Sequence, residues 1–355
     1  MSKYPCLEID LNKISYNVKK IKDICRDKGI STAFVTKVFC GDETIIKEIV
    51  NSGADTLGES RIDNFRRLKK LHFKKLLVRI PMLSEVEEVV EYCDISLNSE
   101  LKVIQALSRE AENRSKKHSI ILMVDLGDLR EGVLPKDAIE IVKEILELKG
   151  IELLGIGTNL TCYGGVIPDE NNMGRLLEIK HNIEESLNIN IPLVSGGNSS
   201  SLYMVEGGNI PKGINHLRIG EGFILGRETA FGKDIDHLHK DVFTLKGEII
   251  EIKEKPSIPE GKIGLDAFGN KPEFEDKGFM KRAIVALGKQ DILLEVIYPR
   301  DKKIEILGAS SDHLILNITS CGNKYSVGDI VEFDVNYGCL LSVMISSYIE
   351  KRYIK

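Results

Sequence analysis

What most limits the folds open to this chain is an alternation. Over roughly the first 230 residues, short apolar strands and amphipathic helices follow one another. Eight strands are predicted, at 32–37 (TAFVTK), 54–59 (ADTLGE), 76–80, 94–99, 119–127, 151–160 (IELLGIGTNL), 191–197 (IPLVSGG) and 216–220 (HLRIG). Each is apolar enough to be buried on both faces, as parallel strands are. Helical patterns at 43–51, 84–92 and 135–149 stand between them. Repeated β-then-α units argue for a closed (β/α)8 TIM-type barrel, although an open doubly wound sheet fits the same alternation. From Val242 onward the texture changes to short β-like runs, FTLKGEIIEIK, RAIVALG, KIEILGASSDHLILNI and DIVEFDV, separated by turn-rich stretches. A mostly β C-terminal domain is therefore expected, with the barrel over 11–230 and the second domain over 1–10 plus 231–355. The opening strand at 5–10 is expected to pair with that second domain.

Composition narrows the function classes. A hydrophobic share of 42% with 29% charged residues suits a soluble globular protein, and no apolar run is long enough to span a bilayer. The formal charge of -5 is spread over mixed faces and gives no basic stripe, so a small-molecule ligand is expected rather than nucleic acid. The start, MSKYPCLEIDL, lacks the basic and apolar regions of a secretory signal, and the seven scattered cysteines include no C-x-x-C. A cytoplasmic protein without a disulfide framework or a metal site is expected. His237 and His239 are spaced like metal ligands but have no supporting cluster.

Lys37 closes the first predicted barrel strand, where functional groups of such barrels collect. An ammonium buried there would be desolvated toward a neutral nucleophile; a lysine reaching out of the barrel mouth fits the stretch equally well. At the ends of the seventh and eighth strands, VSGGNSSS and LRIGEGFILG bring glycines and hydroxyls, as phosphate sites of these barrels do. Together they suggest a phosphorylated aldehyde, gripped at one end by its phosphate and at the other by an imine.

The ordered set LEIDLNKISYNVKKI, VTK, VDLGDLREGV, SGGNSS, LRIGEGFILG, GASSDHLILNI and SVGDIVEFDVNYG covers nearly the whole chain. It resembles the alanine racemase family of pyridoxal-phosphate enzymes, and more closely its ornithine racemase branch. The resemblance implies a barrel followed by a β domain, a homodimer with active sites shared between subunits, pyridoxal 5′-phosphate as cofactor and an amino acid as substrate. By the same resemblance Lys37 holds the cofactor covalently and is one of two catalytic bases. Asn198, Ser199, Gly220, Glu221 and Tyr337 match positions around the phosphate, and Arg218 matches an arginine facing the ring nitrogen. Arg130 matches an arginine near the substrate carboxylate, and Ser311 with Asp312 falls where a partner subunit reaches the active site.

The chain also departs from the family pattern. The family's second base is a tyrosine, and its position here is Lys289; Cys40, Tyr163 and His313 are other candidates for the role. Asn159 stands where alanine racemases carry a histidine, and a tyrosine usual after the lysine is missing from VFCGD. Less bulk leaves room for a longer substrate side chain. A distal ammonium would want a carboxylate, for which Asp266, Asp291 and Asp312 are candidates. The expected activity is two-base racemization of a basic amino acid, ornithine before lysine or alanine. A non-catalytic pyridoxal-phosphate carrier and an aldolase or decarboxylase are the alternatives. Carriers lack a β domain, and aldolases of this type want a metal.

Overall fold

The computed structural model describes residues 3–355. The chain forms two compact units, Asn12–Lys240 and the residues up to Leu11 together with Asp241–Lys355. Strand β1 (Cys6–Asp10) belongs to the second unit and is followed by helix α1 (Leu11–Arg26), whose Ile14, Val18, Ile21 and Cys25 are buried.

Eight parallel strands close the barrel: β2 (Ser31–Val35), β3 (Thr56–Glu59), β4 (Lys74–Leu77), β5 (Ile95–Asn98), β6 (His118–Met123), β7 (Ile151–Thr158), β8 (Leu193–Gly196) and β9 (His216–Ile219). The helices between and after them are α2 (Glu43–Asn51), α3 (Ile62–Arg67), α4 (Val86–Tyr92), α5 (Leu101–Asn113), α6 (Ala138–Leu146), α7 (Glu170–Leu187), α8 (Leu202–Gly207) and α9 (Glu221–Leu225). Closure runs through β2, which pairs with β3 on one side and β9 on the other, setting Ala33 beside both Thr56 and Arg218. The closed barrel, not the open sheet, is thus the fold. The period-2 alternation of each strand separates two apolar cores. Ala33, Leu76, Ile95, Leu97, Ile121 and Met123 form the small inner cluster. Phe65, Val89, Ile104, Leu122, Ile156 and Met204 belong to the larger one, between strands and helices.

In the second unit an eight-stranded sheet adds β10 (Phe243–Pro256), β11 (Phe279–Val285), β12 (Ile297–Pro299), β13 (Glu305–Ala309), β14 (Leu314–Asn317), β15 (Ile330–Val335) and β16 (Glu350–Ile354) to β1. β1 runs antiparallel to β10 and parallel to β16, so the first strand does join the C-terminal sheet. A helix α10 (Tyr337–Val343) follows β15, with Asn336 accepting the Cys339 amide at 3.1 Å as its cap. Among the described residues no helix is long and apolar enough to cross a membrane, and no group of three His, Cys, Asp or Glu side chains is arranged to hold a metal.

Candidate active site

The turn after β2 departs from expectation. The strand stops at Val35, and Lys37 opens a single turn of 3-10 helix, Lys37–Phe39. The Thr36 amide makes the last ladder-like bond, to Gly58 O at 2.8 Å, and the Phe39 amide then closes on Thr36 O at 2.9 Å. Cys40 (φ 53°) and Gly41 (φ 75°) reverse the chain toward Asp42, whose carboxylate accepts the Ile45 amide at 3.0 Å and caps α2. Because pairing ends before it, Lys37 is exposed. The structure thus places Lys37 in the turn at the barrel mouth rather than within the strand.

Behind that turn lies a carboxylate that sequence reasoning missed. Glu59, the last residue of β3, is 0% exposed and accepts hydrogen bonds from Thr36 Oγ1 at 2.7 Å and Asn64 Nδ2 at 2.8 Å. Burial pushes its carboxyl up to about 7, opposed in turn by the bonds from Asn64, Thr36 and the Ser60 amide and by the charge of Lys37.

Across the barrel, Arg218 is 3% exposed and lies in β9. Its guanidinium donates to Ser195 Oγ, to Thr158 O at 2.8 Å and to Asn159 Oδ1 at 3.4 Å. All three acceptors are neutral, and among the described residues no carboxylate lies within ion-pair distance. Burial pulls it down to about 10, which leaves it charged at neutral pH. Ser195 is also 2.8 Å from His216 Nδ1. Since Arg218 can only donate, Ser195 uses its own proton toward His216, whose Nδ1 must accept. Burial, followed by Arg218 and Lys74, pulls His216 down to about 3 and keeps it neutral. Gly157 leaves room for this group: a Cβ there would fall 3.0 Å from Ser195 Cβ.

The serine turn after β8 completes the set. Ser199 Oγ accepts the amides of Gly220 at 3.1 Å and Gly222 at 3.0 Å, tying the ends of β8 and β9 together. Gly222, not singled out from the sequence as a site residue, thus shares Ser199 with Gly220. Glu221 itself is half-buried, and burial raises its carboxyl. Asn198 donates to Asn159 Oδ1 at 3.1 Å and Leu160 O at 2.8 Å. Two buried atoms nearby, Asn159 Nδ2 and Ser200 Oγ, make no hydrogen bond within the chain.

The remaining expected residues are engaged elsewhere. Arg130 is exposed and bonded to Glu131 through Nε and Nη2, so its guanidinium is already neutralised by its neighbour. Tyr163 is 76% exposed, on a loop whose amides are held by the buried Asp128. In the other unit, Lys289 Nζ sits 4.1 Å from the centroid of the Phe268 ring, a contact whose attraction is to the cation. Asp266 turns onto its own loop, accepting the Asn270 amide at 2.8 Å and the Phe268 amide at 2.9 Å, and these bonds lower its carboxyl. Ser311 donates to Asp312 at 2.7 Å, both exposed, and Tyr337 opens α10. Asp291 is 9% exposed and accepts from Ser346. Asp291 and Asp312 line one open cavity of about 380 Å³ with Pro5, Leu287 and Tyr348. The barrel unit therefore gathers Lys37, Asn159, Asn198, Ser199, Arg218 and Gly220 at the C-terminal ends of its strands. Within the second unit Asp291 and Asp312 line one cavity, with Ser311 bonded to Asp312 beside it.

A barrel with a lysine, a buried arginine and a serine turn at its strand ends defines a class. The family described as alanine racemase, N-terminal domain, matches residues 9–227, and the chain belongs to the alanine racemase family and is by class an amino-acid racemase. An ornithine racemase from Acetoanaerobium sticklandii is 52% identical over 98% of this chain and 99% of that relative. A lysine racemase from Thermotoga maritima is 45% identical, with 99% of this chain and 98% of the relative covered. The structure of an alanine racemase from Bartonella henselae, described with covalently bound pyridoxal phosphate, superposes with a TM-score of 0.77 at 17% identity, covering 99% of this chain and 100% of that one; it supports the fold.

Proposed function

We propose that the chain interconverts the L- and D-forms of a basic amino acid, ornithine first, by two-base proton transfer at Cα with pyridoxal 5′-phosphate at the barrel mouth. The observation that carries the substrate is the 52% identity with an ornithine racemase, spread over 98% of the chain. Support for the cofactor comes from the donor set. Arg218 is a buried guanidinium among neutral acceptors, and Asn159 Nδ2 and Ser200 Oγ are buried without a partner in the chain. Such orphaned atoms are rare in folded proteins and suit a bound ligand.

The residues present fit the group. Lys37 would hold its aldehyde, Arg218 its ring nitrogen, and Asn198, Ser199, Gly220 and Glu221 its phosphate, with Tyr337 contributed by the β unit. When bound, the cofactor supplies a conjugated sink for the electron pair left at Cα. Arg218 donates and cannot accept, so it suits only an unprotonated nitrogen opposite it. That weakens the sink and favours return of the proton over loss of the carboxylate or transfer of the nitrogen. Lys37 Nζ takes or returns the Cα proton on one face, and Lys289 Nζ, once off the Phe268 ring, serves the other. Arg130 would exchange Glu131 for the substrate carboxylate, with Asn159 and Ser311 beside it. For the distal ammonium the better candidates are Asp291 and Asp312, which share a cavity, since Asp266 is committed to its own loop. A carboxylate buried for that purpose is left unpaired when alanine enters, which would disfavour alanine.

A homodimer would bring the second base and these carboxylates to the partner's barrel. Seven cysteines without a disulfide suit a reducing cytoplasm. With purified chain and added pyridoxal 5′-phosphate, L-ornithine should lose optical rotation and exchange its α-hydrogen with deuterated solvent. If no amino acid tested exchanges, the reading is wrong.

A further inference from the structure

Glu59 is a costly residue whose role the fold alone does not demand. A carboxyl with 0% exposure and no cation within ion-pair distance among the described residues is expensive to keep. Its contacts converge on one short segment. Thr36, the residue before Lys37, makes no side-chain cap to the turn it precedes, because its hydroxyl donates to Glu59 at 2.7 Å. At the other end of that segment Gly41 packs on Asn64, Glu59's second donor; a Cβ on Gly41 would lie 3.3 Å from Asn64 Oδ1. Glu59 and Asn64 therefore clamp both ends of the turn that carries Lys37. Thr36 and Asn64 are neutral, and the Ser60 contact is a backbone amide.

We propose that Glu59 is a positioning residue for Lys37: through Thr36 and Asn64 it fixes, from both ends, the turn that carries Lys37. This rests on Lys37 being the lysine that holds the cofactor, and it adds a group that fixes that lysine's turn from outside the barrel. Nothing in the alternation of strands and helices requires an acid at this point; a leucine would fill the space between β3 and α3 at lower cost.

The test measures binding of pyridoxal 5′-phosphate by full-length chains. Glu59→Gln sets an amide donor against the donors of Thr36 and Asn64 and should raise the dissociation constant about tenfold. Thr36→Val removes the donor at the start of the turn and should raise the dissociation constant of pyridoxal 5′-phosphate about tenfold; Thr36→Ser should restore it. Binding unchanged in Thr36→Val overturns the clamp. Absence of a borohydride-fixed pyridoxyl group on Lys37 in the unaltered chain would instead fault the reading of the cofactor lysine.

Discussion

The groups proposed to grip the cofactor and those proposed to meet the substrate are built in different ways. Arg218, Ser199 and Asn159 are buried at strand ends and cross-linked by hydrogen bonds among β7, β8 and β9. Lys289, Asp266, Ser311 and Asp312 lie on connections of the β unit, half-buried or exposed; Asp266, Ser311 and Asp312 are bonded within their own loops, and Lys289 sits against Phe268 of the preceding connection. Catalytic groups need their geometry fixed before the substrate arrives, and only the first set meets that condition within one chain. The contrast sets a preorganised hydrogen-bonded network in the barrel against groups of the β unit that are held by local contacts alone.

The largest effect that could break this contrast comes from the two lysines, altered side by side. Lys37→Ala should lower kcat/KM for racemization at least about 1000-fold and abolish the borohydride-fixed label. Lys289→Ala should keep the label and lose about 100-fold, with α-hydrogen exchange falling more from one enantiomer than from the other. Equal losses from both enantiomers would remove Lys289 from the proton path. The exposed side chain of Tyr163 would then be the next candidate.

A smaller effect separates the two regions by stability. Ser195→Ala leaves both Arg218 Nη1 and His216 Nδ1 without the hydroxyl that joins them, in a site where water cannot replace it. The expected cost is about 1–3 kcal/mol in urea unfolding, with weaker cofactor binding. Ser311→Ala, on an exposed turn of the β unit, should stay within about 0.5 kcal/mol. Equal costs at the two sites would mean that the barrel network is no more preorganised than the loop.

Much of the barrel was legible because its signal is periodic. All eight strands and their order follow from the alternation, and β1 joins the C-terminal sheet as its pattern suggests. Lys37 was legible as a residue and not as a place: the stretch TAFVTK reads as continuous strand, and only the Thr36 to Gly58 bond and the tight turn behind it show pairing ending earlier. Ser195 and His216 were missed because polarity inside IPLVSGG and HLRIG becomes informative only when register sets those two residues side by side. Glu59 gave a faint signal, an acid closing a buried strand with Asn64 five residues on, but its partner Thr36 comes from another strand. The β unit offered least, since a carboxylate on a turn such as that of Asp266 looks the same in sequence whether it caps a loop or meets a substrate.

The smallest predicted effect is in pH, and it tests whether the buried His216, His118 and Glu59 are held neutral. Burial pulls His216 from 6.5 to about 3 and His118 from 6.5 to about 4, while it pushes Glu59 from 4.5 to about 7. For both histidines the folded value is the depressed one, so the unfolded chain takes up the proton first. Their stabilisation is whole above 6.5 and is lost as pH falls toward 4 and 3. Glu59 has the opposite sign: its contribution is whole below 4.5 and is lost as pH rises through 7. Between 4.5 and 6.5 the two kinds of group oppose each other, so the unaltered chain shows only their difference. Single variants separate them. On going from pH 7.5 to 5, His216→Gln should lose about 1–2 kcal/mol less unfolding free energy than the unaltered chain, because it lacks a group that must charge on unfolding. Over the same drop Glu59→Gln should lose more than the unaltered chain, since it lacks the carboxyl that favours the folded state in acid. Curves parallel to the unaltered chain in both variants would show that neither group titrates differently in the fold, and the preorganised side of the comparison would lose its electrostatic basis.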